Sequence, residues 1–297
     1  MKTAWVFPGQ GSQAVGMGVD LAETAIAADK FQQAQAILGW SVLERVQEDD
    51  ATLAKTQYTQ PCLYVVEAIL TDLLREKGLM PDVVAGHSLG EYSALYAAGV
   101  FDFATGLELV RQRSEVMANA QGGMMAALMK FDPEQLATAL AANDQVVLAN
   151  DNSPEQVVIS GTVTAVEAIL ATVKARRAVP LKVSGAFHSR LMADASQAFT
   201  ATLQACTFQH ALIPVLSNVD PTPTQDGDRL KARLIQQMTG SVRWRETMLT
   251  LSDHHIEAYW EVGPGKVLTG LCKRTCPALI LKNISQLSEV DLADSGT

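Results

Sequence analysis

Gly86-His87-Ser88-Leu89-Gly90 sets a serine between two glycines. It follows the apolar run Val83-Val84-Ala85, which reads as a buried strand, and precedes a helical segment, Glu91 to Ala98, that ends at Gly99. A Gly-x-Ser-x-Gly turn from strand to helix is a nucleophile elbow: the glycines allow a sharp turn, and the hydroxyl is pushed out of the sheet edge at a helix N-terminus. Backbone N–H groups at that position can hold the oxyanion formed when a carbonyl is attacked. The chemistry is acyl transfer through an ester on Ser88. The five residues alone do not say whether water or another molecule takes the acyl group.

A serine nucleophile needs a base, and five histidines are available. His87 adjoins the nucleophile, but its side chain leaves the elbow in another direction and suits packing or a hydrogen bond. His210 precedes an apolar strand; His254 and His255 fall in a polar connection where solvated histidines are common. His188, in Ser184-Gly185-Ala186-Phe187-His188-Ser189, lies on a junction loop of the kind that overhangs active sites. It is the candidate base. Arg113 is the second informative residue. At 100° per residue it falls within roughly 60° of Val110, on the stripe of Phe103, Gly106, Leu107 and Met117. A guanidinium on a buried face demands an anion. That anion is either an acid of this chain or a substrate carboxylate held in a bidentate clamp. Phe7-Pro8-Gly9-Gln10-Gly11-Ser12-Gln13 is neither a phosphate-binding loop nor a dinucleotide fingerprint, since neither Gly-Lys-Ser/Thr nor Gly-x-Gly-x-x-Gly occurs here. A backbone N–H from it could complete an oxyanion hole with that of Leu89.

The elements that must position these residues follow from the apolar pattern. The chain has 297 residues, 48% hydrophobic and 19% charged, which fits one large or two smaller α/β units. Ala4–Phe7 reads as a first strand, with helices at about 19–38 and 60–77. The strand at about 82–86, the elbow, and helices at about 88–98 and 103–119 come next, an alternation that makes a parallel sheet. The middle differs. Strand Met124–Met129, helix Pro133–Ala142, strands Val146–Ala149 and Val157–Ser160, helix Val163–Lys174 and strand Ala178–Val183 give the β-α-β-β-α-β order of a ferredoxin-like unit. Helices at about 190–204, 228–238 and 243–253, strands Ile213–Ser217 and Ala258–Val262, and a helix from about 266 complete the chain. The polar tail from about Ser285 is expected to fray. The expected division is a large subdomain of residues 1–122 and 190–297 and an inserted small one of residues 123–189.

No apolar run approaches the length of a membrane span, and the N-terminus lacks the apolar stretch of a signal peptide, so a cytoplasmic location is expected. A net charge of −9 argues against a general nucleic-acid surface. The cysteines Cys62, Cys206, Cys272 and Cys276 have no metal-ligand spacing and read as reduced thiols.

Taken together, these motifs resemble the malonyl-CoA:acyl carrier protein transacylase family of fatty acid synthesis and the related acyltransferase domains of polyketide synthases. The resemblance spans about residues 3–283 and also rests on Thr59-Gln60-Pro61, Asn152-Ser153-Pro154 and Glu261-Val262-Gly263-Pro264-Gly265-Lys266-Val267-Leu268. It implies an α/β-hydrolase-like large subdomain with a parallel sheet and an inserted ferredoxin-like small one, which agrees with the parallel sheet and inserted unit read from the pattern. It implies Ser88 as nucleophile, His188 as base, Arg113 on the malonyl carboxylate, and the backbone amides of Gln10 and Leu89 as the oxyanion hole. Gln237 matches the position whose backbone carbonyl orients the histidine, although Thr239-Gly240-Ser241 stands where the family commonly has Asn-Pro. Gln60 matches a supporting pocket position. Phe187, in an Ala-Phe-His ending that goes with malonyl selection, also belongs to the pocket; Gly185 replaces the His that often opens that motif. The implied substrates are malonyl-CoA and acyl carrier protein, with no bound cofactor or metal, no nucleic acid and no membrane, in a monomer. Three other readings stay open. A stand-alone polyketide acyltransferase shares every motif. A serine hydrolase would add an Asp or Glu between Ser88 and His188, where no motif singles one out. A non-catalytic carrier-binding module would have no use for Ser88, His188 and Arg113 together.

Overall fold

The computed structural model describes residues 1–120 and 122–293. A five-stranded parallel sheet is built from β1 (Thr3–Phe7), β2 (Val83–Gly86), β7 (Val215–Leu216), β8 (Ala258–Val262) and β9 (Ile280–Ile284), in the order β7-β2-β1-β8-β9. Strand alternation divides the core across it. Trp5 and Phe7 face the larger apolar cluster around the helix Thr56–Glu76, while Ala4 and Val6 face a second one with Trp244, Tyr259 and Leu268. With both faces covered, the central strands are apolar throughout.

The strands β3 (Met124–Phe131), β4 (Val146–Ser153), β5 (Gln156–Gly161) and β6 (Ala175–Pro180) form a separate antiparallel sheet in the order β4-β5-β3-β6. With its two helices, Pro133–Ala141 and Val163–Thr172, this is the ferredoxin-like order. Ala126 and Leu128 point into the core under those helices, and the alternate residues Met125, Ala127 and Met129 line a cavity facing the parallel sheet. The fold class is therefore as expected: α/β with a parallel sheet and a second, antiparallel one.

Several boundaries moved. The expected helix over 19–38 divides at Thr24, whose hydroxyl accepts from the Ala27 N–H and starts Ala25–Leu38 afresh after a 3-10 turn, Val19–Glu23. The helix expected from 60 begins at Thr56 and carries Pro61 inside it. β6 starts at Ala175 rather than 178, because its pairing with β3 reaches Phe131; as an edge strand it keeps Arg176 and Arg177 exposed, which hides it from an apolar pattern. The edge strand β9 and the helix Leu287–Ala293 were not expected. That helix buries Val290 and Ala293 in the larger core, so the tail is structured to residue 293, and its last four residues lie outside the described ones.

Candidate active site

β1, β2 and β8 all end at one edge of the parallel sheet, the edge where such sheets carry their sites. Three glycines let the loops after β1 and β2 interlock there. A Cβ on Gly90 would lie 2.1 Å from the Phe7 carbonyl oxygen, one on Gly9 2.4 Å from that of His87, and one on Gly86 1.9 Å from the Gly90 carbonyl carbon. Ser88 therefore sits at a tight turn with φ 52°, a left-handed conformation rare for a side chain larger than glycine's. Asn218, just past β7, staples the turn: its Oδ1 accepts from the Ser88 N–H at 2.7 Å and its Nδ2 donates to the Gly86 carbonyl at 2.6 Å.

Ser88 Oγ lies 2.8 Å from His188 Nε2. On the other side of the ring, Nδ1 meets two carbonyl oxygens, Gln237 O at 3.0 Å and Gly240 O at 3.1 Å. Carbonyls can only accept, so Nδ1 carries the proton and Nε2 presents a lone pair to the serine hydroxyl. No carboxylate takes part in these contacts; the arrangement is a dyad oriented by main chain. Burial, reinforced by the nearby Arg113 cation, pushes the His188 pKa down to about 3, so the imidazole is neutral and ready to accept a proton.

Arg113 is buried, as the helical stripe required, on the helix Phe103–Asn119. Its Nη2 donates to Ser88 Oγ at 3.1 Å and to Gln237 Oε1 at 3.0 Å, and its Nη1 to Gln60 Oε1 at 2.7 Å. Tyr92 stacks against it at 5.4 Å, and its Nε–H has no acceptor among the described residues. The direct partners of this buried cation are thus all neutral. Gln60 is held in turn by Met117, whose sulfur accepts from Nε2 at 3.5 Å.

Gln10, Gln60, Ser88, Leu89, Phe187 and His188 line one cavity of about 330 Å³ between the two sheets. The turn hydrogen bonds of these loops (Ser12 N–H to Gly9 O, Gly90 N–H to His87 O, Tyr92 N–H to Leu89 O) leave the Gln10 and Leu89 N–H groups out. His87 points away from Ser88 Oγ, with Nε2 2.8 Å from Asn152 Oδ1 on β4 and its ring edge-on to Trp244. All eight residues singled out from the sequence come together. Three more belong to the site and were not foreseen: Asn218, Gly240 and Glu91. Gln237 does more than expected, since its side chain as well as its carbonyl faces the site. Among the described residues no group of three or more His, Cys, Asp or Glu could hold a metal ion, and no helix is long and apolar enough to cross a membrane.

Residues 4–290 match the family model described as an acyl transferase domain. The chain is 76% identical over 291 residues to the malonyl CoA-acyl carrier protein transacylase of Synechocystis sp., covering 98% of this chain and 99% of that protein. The crystal structure of the Synechocystis malonyl-CoA:ACP transacylase superposes with a TM-score of 0.97 at 76% identity, over 98% of this chain and 100% of that one. A malonyl-transacylase solved in complex with the holo form of its type II polyketide acyl-carrier protein superposes with a TM-score of 0.94 at 36% identity, over all of both chains.

Proposed function

The chain belongs to the acyl transferase domain family, and from that premise we propose that it moves a malonyl group from malonyl-CoA to the phosphopantetheine thiol of acyl carrier protein for fatty acid biosynthesis. The observation that carries the choice of acyl group is Arg113. A buried guanidinium 3.1 Å from the nucleophile, with only neutral direct partners, is set up for an acyl group that brings its own carboxylate.

His188 Nε2 takes the Ser88 proton as Oγ attacks the thioester carbonyl. The Gln10 and Leu89 N–H groups hold the oxyanion; one such donor typically contributes about 3 kcal/mol to the transition state. The C–S bond breaks, and the coenzyme A sulfur leaves with the proton returned by His188. Malonyl-Ser88 remains. The carrier thiol then gives its proton to His188 and attacks the ester carbonyl, and Ser88 Oγ leaves and regains its proton. These are ping-pong steps, and they use no bound cofactor. The same reading makes the protein a cytoplasmic monomer. Residues 1–122 and 190–297 form its large subdomain, and residues 123–189 the small one that roofs the cavity.

Peptide mass mapping after incubation with malonyl-CoA tests this, with acetyl-CoA and methylmalonyl-CoA alongside. The expected product is malonyl on Ser88 that persists until carrier thiol is added. Loss to water as fast as to the carrier would make the protein a hydrolase. The likeness to a transacylase bound to a polyketide carrier supports a second reading, service to a polyketide synthase, which comparison of carrier proteins in the same assay separates.

A further inference from the structure

Gln237 Oε1 and Gln60 Oε1 hold the Arg113 guanidinium. A glutamine amide has two faces of nearly the same shape, and turned over it presents N–H donors where its oxygen was. Turned so, Gln237 would aim donors at a cation. Its other face decides the orientation. Nε2 donates to the Ser88 carbonyl at 2.9 Å and to Glu91 Oε2 at 2.7 Å. Glu91 is 1% exposed, in the first turn of the helix Gly90–Ala97, and also accepts from the Asn218 N–H at 3.2 Å. A buried carboxyl is expensive to hold, and the transfer steps do not use this one. Its hydrogen bonds go to Gln237 and Asn218, not to Ser88 Oγ or His188. Burial holds its pKa above the usual carboxylate range, and the donors of Gln237, Asn218 and Ser217 and the charge of Arg113 offset only part of that rise.

We propose that Glu91 is the positioning residue of the anion clamp: its carboxyl oxygen, by accepting from Gln237 Nε2, fixes the Gln237 amide so that Oε1 faces Arg113. This rests on the reading that Arg113 receives the acyl carboxylate. Because the Gln237 amide seats the guanidinium, the effect falls on acyl groups that need the clamp.

Glu91→Gln keeps the shape but replaces a fixed acceptor by a second amide that can itself turn. The KM for malonyl-CoA is expected to rise roughly tenfold, the effect of one weakened charge-assisted hydrogen bond, with a smaller fall in kcat. The malonyl-over-acetyl preference in Ser88 acylation should fall by a similar factor. Gln237→Met removes the amide, and the double variant should lose no more than the worse single one, since both act through one link. Equal losses with malonyl-CoA and acetyl-CoA, or losses that multiply in the double variant, overturn the assignment. Arg113→Ala separates the two levels. A preference that survives it sinks the clamp itself, whereas one that falls there but not in Glu91→Gln sinks only the positioning role. Should Glu91→Gln not fold, Glu91→Asp carries the same expectation by drawing the carboxylate back one methylene.

Discussion

Replacing Arg113 by Met should move the titration of His188, and the size of the move follows from the geometry. Arg113 Nη2 and His188 Nε2 contact the same oxygen, at 3.1 Å and 2.8 Å. A proton on Nε2 would therefore sit about 6 Å from that nitrogen, where two unit charges repel by roughly 3 kcal/mol at an effective dielectric constant near 20. That is about two pK units. Burial is the larger cause of the depressed value of about 3 and survives the substitution, so the variant's limb is expected near pH 5. The assay is the pH dependence of kcat/KM for Ser88 acylation by acetyl-CoA, which reports the free enzyme and does not need the clamp. The parent should be flat from pH 5 to 8, and the variant should lose rate below about pH 5 as the base is protonated. A parent limb between pH 6 and 7 would refute the burial of a neutral imidazole. A limb that Arg113→Met leaves in place would refute its coupling to the guanidinium. Stability carries the same sign. Between about pH 3 and 6.5 the unfolded chain binds a proton that native His188 does not, so stability rises with pH through that window. It should fall as the solution is acidified below about 6.5, measurable by urea denaturation.

Three further outcomes are expected. Arg113→Ala should lower the malonyl-over-acetyl ratio more than tenfold, the value of a charge-assisted pair at about 1.5–3 kcal/mol; competition between the two thioesters reads it. Asn218→Ala removes both side-chain bonds across the elbow and should destabilise the protein by about 2–3 kcal/mol while slowing acylation; a denaturation midpoint that does not move would show that the turn holds without its staple. Gly90→Ala places a methyl 2.1 Å from the Phe7 carbonyl and should abolish soluble, acylatable protein; an active, normally stable variant would mean that the two loops are not locked together.

What was legible in the sequence was what short range dictates. The elbow is five adjacent residues whose types force one turn, and Arg113 was found by counting angles around a single helix. The two sheets followed from apolar runs and their order. The rest of the site depends on long-range closure. Gln237 Nε2 reaches a carbonyl 149 residues away, Asn218 Oδ1 an amide 130 away, and Asn152 a ring 65 away. No local rule specifies such pairs. Glu91 alone left a trace, the one charged residue of a helix that is buried on all sides. β9 was missed because an edge strand with mixed exposure has no alternating pattern to show. Gly240 contributes only a carbonyl oxygen, which any residue supplies, so its residue type carries no signal.

The environment of His188 bears on why an ester at Ser88 would pass to a thiol rather than to water. In a triad a carboxylate stabilises the imidazolium that forms when the base takes a proton. Here Nδ1 faces two neutral carbonyls, and a guanidinium lies on the far side of the serine oxygen, so the imidazolium is disfavoured. Serine is helped separately, because Arg113 Nη2 already donates to the oxygen that must become anionic. A weak base of this kind suits a thiol, whose pKa near 8.5 makes its proton easy to remove, far better than water at about 15.7. Departure of a thiol likewise needs little acid assistance.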